Sequence, residues 1–219
     1  EIEQPRIYFG ESAESVEYVV VNSLQEEVDY PLSTEGQSVA YTNYSGDGGV
    51  GIGSFFRRLG FALRYGELNL LISNQLSDDS KLIMERNIVS RVKKAAPFLY
   101  TDNDPYLALV EGDLFWIIDM YTVSDKYPYA QPADTRRINE NSGLPLNFNY
   151  LRNSVKAVVN AYDGTLNFYV VDETDPLIST YEDIFPNLFS PKSSMNTELL
   201  DHIRYPEDLF TIQSDMYRD

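Results

Sequence analysis

The sequence predicts an α+β fold with a mixed or antiparallel sheet and helices packed against it. Strand-like and helix-like segments alternate without a regular βαβ order, and two segments have the pattern of β-hairpins. The chain has 219 residues, of which 43% are hydrophobic, and this is enough to form a real core. We therefore expect a single domain over residues 1–219.

The first part of the chain is expected to combine short strands with two helices. Branched and aromatic side chains favour strands at residues 6–9, 17–21 and 39–42. A helix is predicted over 54–65, because Gly66 follows it as a C-terminal stop. A second helix is predicted over 79–96, because Asp78–Ser80 offer N-caps and Pro97 forces an end. Residues 67–76 fit either a strand or a continued helix.

The second part of the chain is expected to form two hairpins followed by helices. One hairpin is predicted over 106–123, turning at Glu111–Asp113, and the other over 154–171, turning at Asp163–Gly164. The Asp-Gly pair favours a type I′ turn, which has positive φ at both central residues. An exposed loop is expected over about 132–147, where Pro, Asn and charged residues are frequent. Helices are predicted over 176–185, 197–204 and 206–217.

Charge and composition narrow the classes of function. The net charge of −17 and the pI of about 4.3 oppose binding to a phosphate backbone, so we expect no nucleic-acid partner. Cysteine is absent and His202 is the only histidine, so thiol chemistry is excluded and a histidine-based triad would depend on that one residue. The longest apolar run, 114–118, is far shorter than the roughly 20 residues of a membrane helix. Because the chain opens on Glu1, we expect it to be cut from a larger protein.

The glycine-rich segment Gly46–Gly51 matches the G-x-G-x-x-G pattern of phosphate-binding loops and precedes a helix. Against nucleotide binding, no clean buried strand comes before it, Asp47 adds a negative charge, and no Lys-Ser/Thr pair follows. A tight or mobile glycine turn is predicted instead.

Two acidic pairs are the candidates for a metal site. Asp102 with Asp104, and Asp172 with Asp175, would be able to bind calcium together with backbone carbonyls. The alternative is that these residues form turns and cap helices. Apart from possible calcium, we expect no cofactor.

A mixture of acids, hydroxyls and tyrosines follows the second strand of the first predicted hairpin. Such mixtures at strand ends suit a sugar or peptide ligand, although tyrosines covering a packed loop would give the same pattern. The candidate ligand-binding residues are Asp119, Tyr121, Asp125, Tyr127 and Tyr129.

Positive charge is concentrated in one segment. Residues 54–96 hold eight basic and four acidic groups, whereas the rest of the chain is strongly acidic. On the predicted helix 79–96, Arg86, Arg91, Lys93 and Lys94 lie on the side opposite the apolar stripe. We expect them to face an anionic partner, which is the acidic remainder of the chain, another part of the parent protein, or anionic lipid headgroups. The net charge of the chain favours pairing within the protein.

Six strings of sequence, in order along the chain, resemble one protein family. They are GVGIGSFFRRL from Gly49, AAPFL from Ala95, DNDPY from Asp102, WIIDMYTVSDKYPY from Trp116, NYLRNSVKAVVNAYDG from Asn149 and RYPEDLF from Arg204. Together they resemble uncharacterised protein family 0182, whose members are bacterial proteins with several N-terminal membrane spans and a large extracytoplasmic region. The resemblance implies that this chain is a soluble part of that region, attached to the cell membrane in the full-length protein. It implies no activity and supplies no catalytic residues.

Two hypotheses of function follow. In the first, the chain is a non-catalytic interaction or scaffold region of the extracytoplasmic part of a membrane protein, and its partner is the remainder of that protein. In the second, it is part of an extracytoplasmic hydrolase that works through carboxylates, with or without a divalent metal. The absence of cysteine and the single histidine favour the first hypothesis. The sequence leaves the oligomeric state open.

Overall fold

The computed structural model describes residues 2–12, 18–31 and 39–218. The chain divides into two compact units: unit 1 comprises Glu1–Ser12 and Asn87–Asp219, and unit 2 comprises Ala13–Arg86. Both units combine helices with strands, so the predicted α+β class is confirmed. That the two units act as one domain stays a prediction.

The described part of unit 2 forms a small antiparallel sheet, a separate strand pair and two helices. Its three-stranded sheet has the order β1 (Tyr18–Val21), β5 (Lys81–Met84), β4 (Val50–Gly51). Strands β2 (Glu27–Pro31) and β3 (Val39–Thr42) pair with each other. Helix α1 (Phe55–Tyr65) ends at Gly66, the predicted stop, which has a left-handed φ of 70°, and short helix α2 (Asn69–Ile72) follows. Ile52, Ala62, Leu70 and Leu82 form the core.

Unit 1 is built on a six-stranded mixed sheet. The order is β11 (Phe189–Pro191), β10 (Leu166–Val170), β9 (Tyr150–Asn160), β8 (Asp113–Ser124), β6 (Tyr100–Thr101), and β7 (Tyr106–Val110) also pairs with β8. Every pair is antiparallel except β10 with β11. The helices are α3 (Ile88–Ala95), α4 (Pro176–Ile184), α5 (Thr197–Asp201) and α6 (Glu207–Arg218), and a 3₁₀ turn lies at Lys192–Ser194.

The long pair β8–β9 forms the centre of unit 1. Six consecutive residues of each strand are buried, at 117–122 and 154–159, so both faces of the sheet are covered here. On one face, Ile117 and Val158 pack with Met195 and Leu199, which lie next to and within α5. Because both faces are buried, polar residues on these two strands must find partners inside the protein.

Two of the early elements differ from the prediction. Residues 6–9 form no strand: Tyr8 and Phe9 donate their N–H groups to the Ala161 carbonyl, and the Phe9 ring is buried. The helix predicted over 79–96 is split, because 81–84 form β5 and α3 begins only at Ile88. Adjacent Leu82 and Ile83 are both fully buried, which a central strand permits. The helix cap is Asn87, whose Oδ1 accepts the Ser90 N–H at 2.8 Å.

Both predicted hairpins are confirmed, but the second turn has another form. Asn160 pairs with Thr165 across a four-residue turn, and within it only Gly164 has positive φ, at 74°. The prediction of a type I′ turn at Asp163–Gly164 was therefore wrong. Asn160 Oδ1 accepts the Tyr162 and Asp163 N–H groups, which fixes the longer turn.

The remaining predicted elements lie close to their expected places. Helices α4 and α6 match the predictions to within one residue at each end, whereas the helix expected over 197–204 ends at Asp201. It ends early because the chain turns there and the Arg204 N–H bonds to the Tyr106 hydroxyl at 3.1 Å. Residues 132–147 form neither helix nor strand, and most of their side chains are exposed or half-exposed. Glu17 lies outside the described residues.

Candidate functional site

An ion pair lies in the middle of the unit 1 sheet. The register of β8 and β9 places Asp119 directly opposite Lys156, and Lys156 Nζ donates to Asp119 Oδ1. Each side chain is only 3% exposed. Lys156 Nζ also donates to the Arg204 carbonyl at 3.2 Å, so the connector between α5 and α6 closes over the pair.

A second polar network joins this sheet to helix α6. The Tyr121 hydroxyl donates to Asp102 Oδ2, and the same oxygen accepts the Asp208 N–H at 3.0 Å. In return, Asp208 Oδ2 accepts the Asn103 N–H at 3.2 Å and the Ser142 hydroxyl at 2.6 Å. Asp102 thus satisfies an N–H group in the first turn of α6, as a helix cap does, from a distant part of the chain.

Burial changes the titration of this network. It raises the pKa of Asp208 to about 6, and the nearby Asp102 carboxylate adds to the rise. It also raises the pKa of Asp119, although Lys156 beside it opposes the change. The pKa of Tyr121 is raised by burial and by the Asp102 carboxylate. All three groups are therefore harder to ionise than they are in water.

Asp175 is a third buried carboxylate, at the start of α4. Its side chain accepts hydrogen bonds from the Thr122 hydroxyl, the Ser154 hydroxyl at 2.5 Å, the Tyr150 hydroxyl at 2.6 Å and the Leu177 N–H at 3.0 Å. Burial raises its pKa, but these four hydrogen bonds outweigh it and the pKa is lowered. Asp175 therefore stays ionised and fastens α4 to the sheet.

A cleft of about 580 Å³ opens beside the Lys156–Asp119 pair. Its walls come from the start of β9, the end of β10, the 3₁₀ turn, the connector between α5 and α6, and α6 itself. One acidic side chain, Asp172, lines it. The basic side chains that line it are Arg152, Lys156, Lys192 and Arg204. We call it the basic cleft.

The basic side chains of the cleft are engaged to different degrees. Arg152 lies 3.4 Å from the Asp172 carboxylate and is 38% exposed. The Arg204 guanidinium lies over the Tyr106 ring, 4.6 Å from its centroid. Among the residues that the structure describes, neither Arg204 nor Lys192 forms an ion pair. The cleft thus offers positive charge that internal carboxylates do not fully neutralise.

Unit 2 carries a different kind of surface. Helices α1 and α2 expose large apolar side chains, a set we call the apolar face. It consists of Phe55 (62% exposed), Phe56 (80%), Leu63 (76%), Leu68 (70%) and Ile72 (77%).

The glycine-rich segment of unit 2 is a packed turn. Gly49 has a φ of 89°, and the next two residues form β4. A Cβ at Gly53 would lie 2.7 Å from the Asp78 carbonyl oxygen, so the backbone approaches another part of the chain here rather than an open space.

The structure separates the five predicted ligand-binding residues. Asp119 and Tyr121 are buried in the networks described above. Asp125, Tyr127 and Tyr129 lie in the exposed loop after β8. Tyr127 stacks on Tyr150 at 5.4 Å, whereas Tyr129 is fully exposed with a positive φ of 61°. A sugar or peptide site formed by these residues stays a prediction.

The predicted metal ligands serve the fold. Asp102 and Asp175 accept hydrogen bonds from protein donors, Asp104 donates its N–H to Asp102 Oδ1 at 3.0 Å, and Asp172 faces Arg152. In the described part of the chain, no three acidic or histidine side chains are placed to hold a metal ion. Calcium binding stays a prediction to which the side-chain positions add no support.

The predicted basic helix face is divided as well. Arg86 precedes the cap of α3 and belongs to unit 2, whereas Arg91, Lys93 and Lys94 lie on α3 in unit 1. Arg91 Nε donates to the Gly164 carbonyl at 2.8 Å, and Lys93 and Lys94 are exposed. An anionic partner for them stays a prediction.

Sequence reasoning missed Arg152, Lys192 and Arg204. They are 40 and 12 residues apart along the chain, and no spacing motif links them. It also missed Asp208, whose only visible mark was its place in the first turn of a predicted helix. His202, by contrast, is exposed and contacts the Leu109 carbonyl at 3.1 Å.

Comparisons with known proteins all point to the same family. The model of the family described as Uncharacterised protein family (UPF0182) matches residues 1–219. The chain is 46% identical over 217 residues to the UPF0182 protein of Pelotomaculum thermopropionicum, which covers 99% of the chain and 22% of that relative. It is 45% identical over 225 residues to the UPF0182 protein of Trichodesmium erythraeum, which covers 99% of the chain and 24% of the relative. A UPF0182 protein of Bradyrhizobium diazoefficiens is 46% identical, with 22% of its length covered.

The chain therefore spans less than a quarter of the length of these relatives. No solved structure matches it. Among the described residues, no helix is long and apolar enough to cross a membrane. The family match over the whole chain and the three relatives agree: the chain belongs to the Uncharacterised protein family (UPF0182).

Proposed function

We propose that this chain is a non-catalytic interaction region of a larger bacterial membrane protein, held outside the cytoplasm and attached to the cell membrane by other parts of that protein. The observation that carries the proposal is the apolar face of unit 2. Its occupant is another segment of the same protein, because the relatives are more than four times as long as the chain.

The geometry of the helices supports a contact of this kind. Phe56 and Leu63 are seven residues apart and lie on the same side of α1, and Leu68 and Ile72 are four apart at α2. Each such side chain contributes about 1.5–3 kcal/mol when it is fully buried. Clustered exposed apolar side chains are typical of interaction surfaces in soluble proteins.

The carboxylates of unit 1 support a non-catalytic role. Asp102, Asp119, Asp175 and Asp208 are buried, and each accepts hydrogen bonds from groups of the protein itself. A general acid or a nucleophile must reach a substrate, whereas these groups hold strands and helices together. The alternative, a carboxylate-based hydrolase, stays a prediction.

Thiol accessibility tests the contact, because the chain contains no native cysteine. Leu63→Cys is introduced into the 219-residue chain and into a cysteine-free full-length protein, and its reaction rate with a maleimide is measured. We expect fast reaction in the chain and at least tenfold slower reaction in the full-length protein. Gln25→Cys, at an exposed polar position of unit 2, is the matched control and is expected to react alike in both. Equal rates for Leu63→Cys in the two proteins would contradict the proposal.

The same control variant tests the location. Cells that produce the full-length Gln25→Cys protein are stripped of their outer layers, with the cytoplasmic membrane left intact, and are treated with a membrane-impermeant maleimide. We expect labelling without lysis. Labelling only after lysis would place the region in the cytoplasm.

A further inference from the structure

We infer that the basic cleft of unit 1 binds the phosphate group of a ligand, either a free phosphate monoester or one carried on a lipid headgroup. Every residue that lines the cleft belongs to unit 1, and binding there does not depend on the apolar face of unit 2. Three of its basic side chains reach the cleft from different elements: Arg152 from β9, Lys192 from the 3₁₀ turn and Arg204 from the connector before α6. In a chain of net charge −17, such convergence runs against the average charge of the surface.

The positive charge of the cleft is available to a ligand. Lys156 forms the floor and is already paired with Asp119, so it adds little. Lys192 is exposed and forms no ion pair with any described residue. The Tyr106 ring holds the Arg204 guanidinium in place without cancelling its charge. Arg152 forms an ion pair with Asp172 at 3.4 Å, and a phosphate dianion would be able to replace Asp172 in that pair.

The number and type of donors favour phosphate over a single carboxylate. A phosphate monoester presents three acceptor oxygens and close to two negative charges, which suits three cationic groups arriving from three directions. A further donor is positioned nearby. The Tyr205 hydroxyl donates to Gln213 Oε1 at 2.6 Å, so the amide nitrogen of Gln213, a residue that lines the cleft, is not used in that bond. The volume of about 580 Å³ lies in the usual range for small-ligand sites.

A neighbouring groove limits the charge of the ligand. Tyr205 and Gln213 also line this shallower groove, together with Asp104, Glu207 and Phe210. Its two carboxylates would repel a second phosphate group that extended past Gln213. We therefore expect the cleft to prefer a monophosphate, and pyrophosphate to bind no more tightly than inorganic phosphate.

Isothermal titration of the 219-residue chain with inorganic phosphate, glycerol phosphate and pyrophosphate, at constant ionic strength, tests the inference. We expect inorganic phosphate and glycerol phosphate to bind with similar affinity. Lys192→Gln should weaken binding several-fold, and Lys192→Gln with Arg204→Gln about tenfold or more, because each substitution removes a charge-assisted hydrogen bond to the phosphate. Lys93→Gln, an exposed lysine on α3 outside the cleft, is the matched control and should leave binding unchanged.

Sedimentation with phosphatidylcholine vesicles, with and without phosphatidic acid, identifies the source of the phosphate. Binding of the soluble monoester alone indicates a free ligand, and binding to the phosphatidic acid vesicles that glycerol phosphate displaces indicates a headgroup. Circular dichroism checks that the double variant is folded. If it is not, Lys192→Gln alone decides, because Lys192 has no structural partner among the described residues. Absence of binding to every probe, or equal binding by the wild type and Lys192→Gln, would overturn the inference.

Discussion

The Asp208→Asn substitution tests the buried network that joins α6 to the sheet. Asp208 is 2% exposed, and its Oδ2 accepts the Asn103 N–H and the Ser142 hydroxyl. An asparagine has the same shape and keeps one carbonyl oxygen for these two donors. What the substitution removes is the titration of the carboxyl group, so its effect on stability should depend on pH.

The pKa fixes the direction and the size of that dependence. The folded protein raises the pKa of Asp208 from 3.8 to about 6, mainly through burial. The folded state therefore holds the proton more tightly than the unfolded state, and wild-type stability falls as pH rises from about 4 towards about 6. The full effect at pH 7 corresponds to about 3 kcal/mol. Part of this stability is already lost at pH 4.5. The stability of Asp208→Asn relative to the wild type should therefore rise by about 2 kcal/mol between pH 4.5 and 7.5.

Urea unfolding of both proteins at several pH values measures this difference. Comparing the two proteins at each pH cancels the titration of groups that do not interact with Asp208, and only the change of the difference with pH is interpreted. Asp201→Asn, at an exposed position of α5, is the control for losing one carboxylate. A difference between Asp208→Asn and the wild type that stays constant across this pH range would refute the reasoning.

Three further predictions concern the stability of unit 1. Asp175→Ala should lower the free energy of unfolding in urea by more than about 3 kcal/mol, because four hydrogen-bond donors lose their acceptor. Since the pKa of Asp175 is lowered, the stability that it contributes is present near neutral pH and lost in acid. A destabilisation that is the same at low pH would count against this. Lys156→Met should cost about 3–5 kcal/mol, and adding Asp119→Leu should recover most of it; a double variant no better than the single one would disprove an unpaired-charge origin. Gly164→Ala should lower the melting temperature by several degrees, roughly 1–2 kcal/mol, because φ is 74° and a Cβ would lie 2.6 Å from Phe9 Cε1; an unchanged melting curve would contradict this.

Local patterns explain which parts of the fold were predictable from the sequence. The hairpin over 154–171 and helix α4 are marked by residues that act on their own neighbours, such as a turn glycine and an acidic cap followed by proline. The split of 79–96 into β5 and α3 was not predictable in this way. Apolar residues from two different elements happened to follow helical spacing, and burial of Leu82 and Ile83 in the sheet overrode it.

The candidate sites depend on relations that a single sequence does not contain. Asp119 and Lys156 are 37 residues apart and meet only because of the register of β8 and β9. That register shifts between Met120 and Thr122, and beyond the shift Thr122 and Ser154 meet at Asp175. A shift of this kind has no sequence mark, yet it decides which polar side chains share a partner.

The distribution of charge links the buried networks to the proposed binding surfaces. The acidic residues that first suggested metal binding or catalysis include Asp102 and Asp175, and each satisfies the first turn of a helix that packs on the sheet. A buried carboxylate in that position gains from the N–H groups and dipole of the helix, so it stabilises the fold without a metal or a substrate. The basic residues of the cleft are less fully paired: Lys156 is buried against Asp119 and Arg152 faces Asp172, whereas Lys192 and Arg204 form no ion pair with any described residue. Lys192 and Arg204 thus stay without an acidic partner in a strongly acidic chain, and this is why an external anion accounts for their placement better than internal pairing does.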